Sequence, residues 1–295
     1  MPESITNFPL CNERKSSLFD RRDFRDHQVV NRLCRNCGLV YQSPRMTESE
    51  LEIFYQSEYR RVYQGSQDPS NKDLSVQKAR AGALLDILRE VGVDKIDRFA
   101  DIGSSSGLFL EEIKEEFKCQ VIGIEPGEAY RVYAENRGMK VYESLESVEA
   151  AGEPALDLIS MIHVLEHIPD PVNFLKRLRE NFLTPNGRIL IEVPNLYAHD
   201  CFEIAHLTSF SRHTLHEVMK KAGYSTLFLQ TYGQPRSNII PLYIILIAAP
   251  LAQESDHIKV EIERWIRLKR RAGMAHRRII QRLFPNQAWR PEYRG

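Results

Sequence analysis

The stretch RFADIGSSSGLFL, at residues 98–110, decides the fold of this chain of 295 residues. Its first part is a short apolar run of the kind that forms a buried strand, and its last part begins a helix that carries Leu110. Gly103 and Gly107 separate the two parts. A glycine lets the backbone come close to a ligand, because no Cβ intrudes and φ can be positive. The stretch therefore predicts a strand, a glycine-bearing loop and a helix, which together open an α/β domain.

The alternation of strand and helix continues downstream to about residue 250. Apolar runs predict seven strands, at residues 99–102, 120–124, 140–142, 156–162, 188–193, 226–230 and 242–248. Asp170 with Pro171 is typical of a helix start, and Ser211 and Gly223 are typical of the start and end of another. This pattern predicts an α/β fold with a doubly wound, mainly parallel, seven-stranded sheet and helices on both faces. Ligands bind such sheets at the carboxyl ends of the strands, where the strand order reverses.

The composition is that of an ordinary globular protein without overall charge. Forty Lys and Arg residues balance forty Asp and Glu residues, so no global attraction to nucleic acid or membrane is expected. The polar start of the chain does not resemble a signal peptide, and the apolar run at 239–252 is shorter than the roughly 20 residues of a membrane-spanning helix. We therefore expect a cytoplasmic protein whose five cysteines are thiols or metal ligands rather than disulfides.

Two acidic residues flank the glycine loop. Asp101 lies at the end of the first strand, and Glu125 ends the second strand about 20 residues beyond the loop. Ser105 and Leu108 occupy the positions where a dinucleotide fingerprint has its second and third glycines, which disfavours a nicotinamide cofactor. An acid-x-Gly motif at the first strand with an acid at the end of the second resembles the class I S-adenosylmethionine-dependent methyltransferases.

This resemblance implies a cofactor and a set of residues that hold it. Asp101 would orient the methionine ammonium of S-adenosylmethionine, and Glu125 would hold its ribose hydroxyls. The adenine would lie near residues 142–144. The methionine and ribose would be lined by the loop residues Gly103, Ser104, Ser105 and Gly107.

Three later segments extend the resemblance, which then covers residues 74–250. They are HVLEHIPDP at 163–171, GRILIEVPN at 187–195 and HLTSF at 206–210. The first resembles the loop after the fourth strand in ubiquinone-pathway O-methyltransferases, where a carboxylate-rich loop can hold a divalent cation. His163 here replaces an acidic residue, which weakens that implication.

Four side chains are candidates for the chemistry of methyl transfer. His163, Glu166 and His167 are expected beside the sulfonium, and His206 enters from the later loop. Transfer from a sulfonium is an in-line displacement, to which positioning contributes much, and an oxygen or nitrogen acceptor also benefits from a base or metal that removes its proton. We expect His206 to be a substrate-facing base, whereas Glu166 and His167 either take part or only fasten the loop through hydrogen bonds.

The first 45 residues form a cysteine-bearing head that is short and loop-like. The sequence CRNCG at 34–38 is a knuckle that presents two thiolates to zinc, and FPLC at 8–11 matches a partner knuckle without its first cysteine. Paired knuckles resemble the zinc-ribbon head of some sugar and glycan methyltransferases. That resemblance implies a structural zinc held by Cys11, Cys34 and Cys37. His27 could supply a fourth ligand, or the head could be a metal-free packing module.

Residues 46–73 are predicted to link this head to the main domain, which spans residues 74–252. Thr47 with Glu50 predicts a capping box that starts a short helix. A lid over the site is expected from four aromatic residues, Phe54, Tyr55, Tyr59 and Tyr63.

Residues 253–295 form a basic tail. From residue 258 onward eleven Lys and Arg residues face three Glu residues, which leaves a local charge near +8. Apolar residues at helical spacing predict a helix docked on the core. The alternatives for the charge are an anionic acceptor such as a nucleotide-sugar, an anionic membrane surface, or RNA.

Together these patterns favour an S-adenosylmethionine-dependent methyltransferase that acts on a small-molecule, sugar or glycan acceptor, with oxygen as the methylated atom. The basic tail keeps an RNA methyltransferase open as an alternative, although the fourth strand leads to HVLE rather than to an Asn/Asp-Pro-Pro-aromatic motif. A cofactor-binding regulatory protein without catalysis is a further alternative, because an intact cofactor motif does not guarantee intact chemistry.

Overall fold

The computed structural model describes residues 2–6, 10–25, 27–58, 62, 68–251 and 259–290. The strands are β1 (Ser16–Phe24), β2 (His27–Cys34), β3 (Val40–Gln42), β4 (Arg98–Ile102), β5 (Gln120–Ile124), β6 (Lys140–Tyr142), β7 (Leu156–Ile162), β8 (Leu183–Pro194), β9 (Thr208–Ser209), β10 (Tyr224–Tyr232) and β11 (Tyr243–Pro250). The helices are α1 (Glu48–Ile53), α2 (Asn71–Glu90), α3 (Leu108–Phe117), α4 (Glu128–Asn136), α5 (Leu145–Ala150), α6 (Pro171–Asn181), α7 (Arg212–Lys221), α8 (Ile266–Leu283) and α9 (Pro285–Ala288).

The central sheet has seven strands in the order β10-β11-β8-β7-β4-β5-β6. Strands β4 to β8 pair in parallel, whereas β11 lies antiparallel between β8 and β10. The chain starts this sheet in the middle, at β4, and builds outward first through β5 and later through β7. The switch point therefore lies between β4 and β7, and their carboxyl ends border the ligand crevice of such a fold.

Helices cover both faces of the central sheet because successive residues of a strand point to opposite sides. Ala100 and Ile122 belong to one apolar cluster, in which Leu175 of α6 and Leu215 of α7 take part. Phe99, Val121 and Leu158 belong to the other cluster, together with buried residues of α2 and α3. The predicted α/β class and its doubly wound, mainly parallel sheet are confirmed.

The predicted helix caps are present. Thr47 and Glu50 form a capping box at the start of α1, and Asp170 caps α6 with Pro171 in its first turn. Ser211 accepts from the backbone N–H of Thr214 at the start of α7. Each cap satisfies a backbone donor that the helix leaves without an internal partner, so short polar motifs define these boundaries locally.

Strand β8 differs from its prediction, because residues 185–187 were expected to form a turn before it. Instead β8 begins at Leu183, which pairs with Leu156, and the register shifts before Leu158 pairs with Arg188. The extra residues form an irregularity inside the strand, as in a β-bulge, and the pairs made by Leu183 and Arg188 enclose it.

The head is a sheet, so the prediction of a loop-like segment was wrong. Strands β1 and β2 form an antiparallel hairpin, β3 pairs with β2, and β9 adds to β3 as the fourth strand. The pairing of Tyr41 with Thr208 ties residues 195–210 to the head. Leu10, Leu39 and Tyr41 are buried in the same apolar cluster as the central sheet. The head thus packs directly against the α/β core.

Helix α8 docks through a charged residue as well as an apolar one. Ile266 and Arg270 are buried, and Arg270 donates to the carbonyl oxygens of Leu196 and His199. The apolar side chains Trp265, Leu268, Ile279 and Leu283 are exposed. Among the described residues, no helix is both long and apolar enough to cross a bilayer.

Candidate active site

A cleft of about 1140 Å³ opens at the carboxyl ends of the central strands. One side is formed by β4, β5 and the loops that follow them, and the other by the loop after β7 and by residues 194–206. The predicted cofactor residues that line it are Asp101, Gly103, Ser104, Ser105 and Glu125. The predicted catalytic residues that line it are His163, His167 and His206.

Asp101 is the last residue but one of β4, and its carboxyl group is buried. It is 4 % exposed, and Ser160 Oγ on the neighbouring β7 donates to its Oδ1 at 2.6 Å. Burial, with a smaller contribution from Glu125, raises the pKa of Asp101 to about 7, against the effect of the Ser160 hydrogen bond. A buried carboxylate of this kind gains a partner when a cationic ammonium binds beside it.

Glu125 is held in place by backbone donors on both sides. The N–H of Ser105 donates to its Oε2 at 2.9 Å, and the N–H of Gly127 donates to its Oε1 at 2.9 Å. The carboxylate therefore links the glycine loop after β4 to the loop after β5. Each oxygen keeps acceptor capacity for a diol, because an ionised carboxylate offers about four lone-pair sites.

The glycine loop is tightly built, and each of its residues has a different role. Gly103 has φ of +76°, and a Cβ there would lie 2.5 Å from Cγ2 of Val164. Ser105 also has positive φ, at +50°, although it is not glycine, and such strained residues are common at functional sites. The Oγ of Ser104 is buried against Gly123 and has no hydrogen-bond partner among the described residues. The cleft lining does not include Gly107, which packs against Ala134.

Helix α2 supports the glycine loop through side-chain hydrogen bonds. This support was not predicted from the sequence. Ser106 Oγ donates to Oε1 of Gln77 at 2.6 Å, and Gln77 in turn donates to Asp73 at 2.6 Å. Tyr130 of α4 donates its hydroxyl to the same Asp73 at 2.7 Å. Asp73 and Gln77 lie one turn apart on α2. This pair of polar residues on one face of an amphipathic helix was the sequence feature that could have indicated their role.

The loop after β6 also lines the cleft. Glu143, Ser144 and Leu145 take part, so two residues of the region 142–144 predicted to lie near the adenine border the cleft. The hydroxyl of Tyr142 instead donates to Glu153 at 2.6 Å and does not line the cleft.

His163 lies between two buried carboxylates on the acceptor side. Its Nδ1 is 3.3 Å from Oε1 of Glu166, and its Nε2 is 2.8 Å from Oε1 of Glu192, without the angle of a hydrogen bond. Burial, the largest effect, and Arg80 both lower the pKa of His163, but the two carboxylates outweigh them and raise it. The backbone of His163 has a φ of +57°, so this residue is strained.

Arg80 and Glu192 were not predicted as site residues. Arg80 Nη1 lies 3.1 Å from Oε1 of Glu192, which is fully buried in β8. The sequence did contain a feature that could have indicated Glu192, because it is the single acid inside the apolar run of β8. A charge in a strand buried on both faces is rarely there without a partner.

Glu166, His167 and His206 form a buried cluster from two separate loops. One ligand atom from each lies within 4.8 Å of the others. Neither oxygen of Glu166 accepts a hydrogen bond among the described residues, and the residue is 1 % exposed. Although burial opposes it, His163, His167 and His206 together lower the pKa of Glu166 to about 2.

Backbone carbonyls fix the orientation of both histidine rings. Nδ1 of His167 lies 2.8 Å from the oxygen of Ala205, and Nδ1 of His206 lies 2.9 Å from that of Cys201. A carbonyl only accepts, so each Nδ1 carries the hydrogen, and Nε2 of a neutral ring presents a lone pair. Burial lowers the pKa of His167 to about 4, which keeps this ring neutral at pH 7. A carboxylate and two oriented Nε2 atoms are a donor set that suits a divalent cation.

The predicted lid is described only in part. Tyr55 lines the cleft, and its ring meets that of His167 edge-on at 5.7 Å between centroids. Phe54 is buried with Val29 and Ile204, so it packs in the core. Tyr59 and Tyr63 lie outside the described residues.

The three head cysteines come together, but His27 does not join them. Their Sγ atoms lie within 4.8 Å of one another, and those of Cys11 and Cys34 are 3.5 Å apart. Zinc–sulfur bonds of about 2.3 Å in a tetrahedron separate sulfurs by roughly 3.8 Å, so these thiols fit a zinc ion. His27 begins β2 and Cys34 ends it, which places them roughly 23 Å apart at about 3.3 Å per residue. Of the two alternatives for the head, the one in which His27 supplies the fourth ligand is therefore not supported.

Comparison with known proteins agrees with this arrangement. A family model described as a methyltransferase domain matches residues 76–227, which is more than half of the chain. The chain therefore belongs to this family of methyltransferase domains.

Curated relatives match a shorter part of the chain. It is 29% identical over 105 residues to the ubiquinone biosynthesis O-methyltransferase of Vibrio cholerae, a match that covers 33% of this chain and 42% of that protein. It is 31% identical over 97 residues to the enzyme of the same name from Ruegeria pomeroyi, which covers 30% of this chain and 38% of that protein. The chain thus spans about two fifths of the length of these relatives.

Solved structures with the same fold include two methyltransferases. The 1,6-didemethyltoxoflavin-N1-methyltransferase of Burkholderia thailandensis, with bound S-adenosylhomocysteine, has a TM-score of 0.56 at 17% identity and covers 79% of this chain and 100% of its own. The plantazolicin methyltransferase, also with S-adenosylhomocysteine, has a TM-score of 0.51 at 12% identity and covers 68% of this chain and 94% of its own. The identification as a class I S-adenosylmethionine-dependent methyltransferase is confirmed in family and fold.

Proposed function

We propose that this protein transfers the methyl group of S-adenosylmethionine to a hydroxyl oxygen of a small-molecule, sugar or glycan acceptor. The observation that carries the proposal is the buried cluster of Glu166, His167 and His206 across the cleft from the glycine loop. One side of the cleft fits the cofactor, and the other holds oriented groups that accept a proton.

The cofactor side offers partners for two polar parts of S-adenosylmethionine. Asp101 faces the ammonium, and Glu125 faces the ribose hydroxyls. These side chains are held by the sheet and by backbone donors before any ligand binds. Such preorganisation holds the sulfonium in a position suited to in-line attack.

The acceptor side handles the proton of the hydroxyl. As the oxygen attacks, its O–H bond breaks, the methyl–sulfur bond breaks, and S-adenosylhomocysteine leaves with the electron pair. Nε2 of His206, held by its Nδ1 contact to Cys201, takes the proton. Glu166 stabilises the imidazolium that forms, because it stays ionised in the same buried pocket. His163 positions Glu166 through the contact at 3.3 Å.

The residues also fit the divalent cation that the ubiquinone-pathway resemblance implies. Glu166, His167 and His206 would hold it, and His163 is not part of this set. Nε2 of His206 would then be a ligand, so the cation is an alternative to proton transfer by His206. Such a cation would supply Lewis-acid chemistry that favours loss of the acceptor's proton. Manganese binding, measured by electron paramagnetic resonance on wild type and on Glu166→Ala without cofactor or acceptor, tests this set independently of turnover. A manganese affinity that is equal in both proteins argues against the cation site.

The first experiment is calorimetric titration with S-adenosylmethionine and S-adenosylhomocysteine, on wild type and on Glu125→Ala. We expect binding by wild type and an affinity lower by about tenfold or more in the variant, since two charge-assisted hydrogen bonds are lost. Absence of binding by folded wild-type protein contradicts the proposal.

A panel of catechols, sugars and nucleotide-sugars then identifies the acceptor by transfer of a labelled methyl group. His206→Ala is expected to lower kcat about 100-fold or more while cofactor affinity is kept. His276→Ala, which removes an exposed histidine from α8, serves as the matched control. If His206→Ala has the same kcat as wild type, His206 is not the base. Cofactor binding without transfer to any acceptor would instead favour the regulatory alternative.

We further propose that Cys11, Cys34 and Cys37 hold a structural zinc in the head. The cluster lies beside residue 263, whose N–H donates to the carbonyl oxygen of Cys37 at 3.3 Å, so the ion would tie the head to the segment before α8. Zinc content of protein purified without chelator is expected to be about one per chain and to fall in Cys34→Ser. Cys119→Ser, at a buried cysteine outside the cluster, is the control. Zinc-free wild-type protein rejects this proposal.

A further inference from the structure

Four arginines among the described residues line the cleft, and two of these four have no acidic partner in that part of the chain. Arg80 pairs with Glu192 at 3.1 Å, and Arg177 pairs with Glu146 and Glu149 at 2.7 and 2.8 Å. Within the described part of the chain, no carboxylate lies within 4 Å of the guanidinium of Arg236 or Arg277. Since a desolvated charge without a partner is costly, such groups commonly mark a ligand site.

Arg277 is brought to the cleft by the inner face of α8. Its Nη1 donates to the carbonyl oxygen of Ala198 at 3.0 Å, and this contact uses only one of its five donors. Asp200, the acid that acts on it electrostatically, already lies 2.7 Å from Arg22 and 3.4 Å from Arg270. Burial, the largest effect, and Arg270 lower the pKa of Arg277. An anion bound beside Arg277 would offset both the cost of burying its charge and the repulsion from Arg270.

Arg236 reaches the same part of the cleft from the loop between β10 and β11. Its guanidinium carbon lies 5.6 Å from the centroid of the Trp289 ring, and its carbonyl oxygen accepts from the N–H of Arg290 at 2.9 Å. The N–H of Asn238 in this loop donates to the carbonyl oxygen of Gln287 at 3.0 Å. The position of Arg236 is thus fixed by the C-terminal segment and does not depend on a flexible surface stem.

His199 completes this corner. Its ring lies 5.9 Å from that of Tyr243, and its buried Nδ1 has no hydrogen-bond partner among the described residues. Burial, followed by His163, Arg277, His206 and Arg236, lowers the pKa of His199 far below its usual value, so the ring is neutral. A neutral imidazole in its Nδ1–H tautomer can donate to an anion beside the two guanidiniums.

We propose that Arg236, Arg277 and His199 bind an anionic group, a carboxylate or a phosphate, of the methyl acceptor. The inference rests on the proposed function, because it assigns the acceptor class to the same cleft. His199 lies within electrostatic range of both arginines and of His206, so the rest of the acceptor extends toward His206. Guanidinium groups bind carboxylate and phosphate through paired hydrogen bonds, so the two chemical sources share this recognition.

The test uses benzoate and phenyl phosphate as probes, titrated calorimetrically into protein saturated with S-adenosylhomocysteine. We expect one or both to bind wild type, and phenol, which lacks the anion, to bind at least about tenfold more weakly. Arg277→Met and Arg236→Met are each expected to lower probe affinity about tenfold or more, and Arg277→Lys less. Arg278→Met removes the same charge from the exposed side of α8 and is the matched control.

The possible outcomes distinguish a failure of the anion site from a failure of the proposed methyltransferase function. Binding of benzoate alone identifies a carboxylate, and binding of phenyl phosphate alone identifies a phosphate; both support the site if Arg236→Met or Arg277→Met weakens them. Probe binding that neither variant changes, or that Arg278→Met weakens equally, overturns it. If S-adenosylhomocysteine binds and neither probe does, the anion site alone is wrong. If wild type does not bind S-adenosylhomocysteine, the proposed function itself fails.

Discussion

The two sides of the cleft are built in different ways. On the cofactor side, Asp101 and Glu125 each end a strand of the central sheet, and their hydrogen bonds come from the adjacent strand or loop. On the acceptor side, Glu166 and His167 come from the loop after β7, whereas His206 arrives from a segment that β9 ties to the head. The cofactor side is therefore formed by the strands of one sheet and the loops next to them, whereas the acceptor side is formed by loops that are distant in the chain.

The difference also appears in the electrostatics. The cofactor side keeps one buried acid with a raised pKa, Asp101, ready for a cationic ligand. The acceptor side already holds an internal balance, with Glu166 and Glu192 around the imidazole of His163. A binding site can thus leave a charge for its ligand to neutralise, whereas a site for proton transfer needs ionised and neutral groups beside each other.

The largest expected effect separates catalysis from cofactor binding. Glu166→Ala should lower kcat by about 10²–10⁴-fold, because the proton-accepting histidine loses its buried counter-charge. Affinity for S-adenosylhomocysteine should stay within about twofold, since the cofactor side does not use Glu166. Steady-state kinetics with calorimetry checks both, and Glu166→Gln distinguishes loss of charge from loss of volume. A variant that keeps more than about a tenth of the wild-type kcat would show that the acceptor side works without this charge.

The next effect concerns the point where the two sides meet. Gly103→Ala adds a Cβ that would lie 2.5 Å from Val164 on the acceptor loop, at a φ of +76°. We expect affinity for S-adenosylhomocysteine to fall at least about tenfold. Gly138→Ala is the matched control, because its φ is +79° but nothing lies within 4 Å of the added carbon. It should cost only about 1–2 kcal/mol of unfolding free energy and leave binding intact. Equal behaviour of the two variants would mean that the contact with Val164 is unimportant.

A smaller effect is the pH dependence of cofactor binding. Because the pKa of Asp101 is raised to about 7, affinity for S-adenosylhomocysteine should rise between about pH 6 and about pH 8, as the carboxyl loses its proton and faces the ligand ammonium. In Asp101→Asn the affinity should be lower and nearly independent of pH. Calorimetry across this range is the measurement, and an equally steep profile in the variant would assign the dependence to another group.

The same residue carries a stability prediction of opposite sign. An acid whose pKa is higher in the folded chain than its ordinary value of 3.8 destabilises the fold increasingly as pH rises from about 4 to about 7. Asp101→Asn removes this penalty and should be more stable than wild type at about pH 8, by up to about 4 kcal/mol. Chemical denaturation at two pH values tests it, and a less stable variant at high pH would contradict the assignment.

The smallest effect is expected at His163. Its raised pKa means that the imidazolium stabilises the fold at low pH, and that this contribution is lost as pH rises through the raised value. His163→Asn lacks the charge but tolerates the left-handed backbone, so the net change should be about 1 kcal/mol and the pH dependence of stability should flatten. Thermal unfolding between about pH 6 and about pH 9 measures this, with His276→Asn as the exposed control. A slope unchanged from wild type would show that His163 is neutral throughout.

Much of the fold was predictable because its signals are local. The bounds of β5, β6 and β7 agree with the apolar runs, and the caps at Thr47, Asp170 and Ser211 lie where the motifs place them. The errors occur where tertiary contacts override local preference. Residues 185–187 lie inside β8 because Leu183 before them and Arg188 after them both pair with β7. The head is a sheet because its polar-looking strands pair with one another.

The sequence by itself determined the sheet, the glycine loop, and the placement of Asp101 and Glu125 at strand ends, since each depends on residues adjacent in the chain or on the period of one element. Only the tertiary structure joined His206 to Glu166, placed Arg80 beside Glu192, and left His27 far from the cysteines. It also turned Arg277 of a basic tail inward and left its apolar neighbours exposed. These contacts cross loops and layers of the fold, so they depend on the path of the whole backbone through space and not on the spacing of residues along the chain.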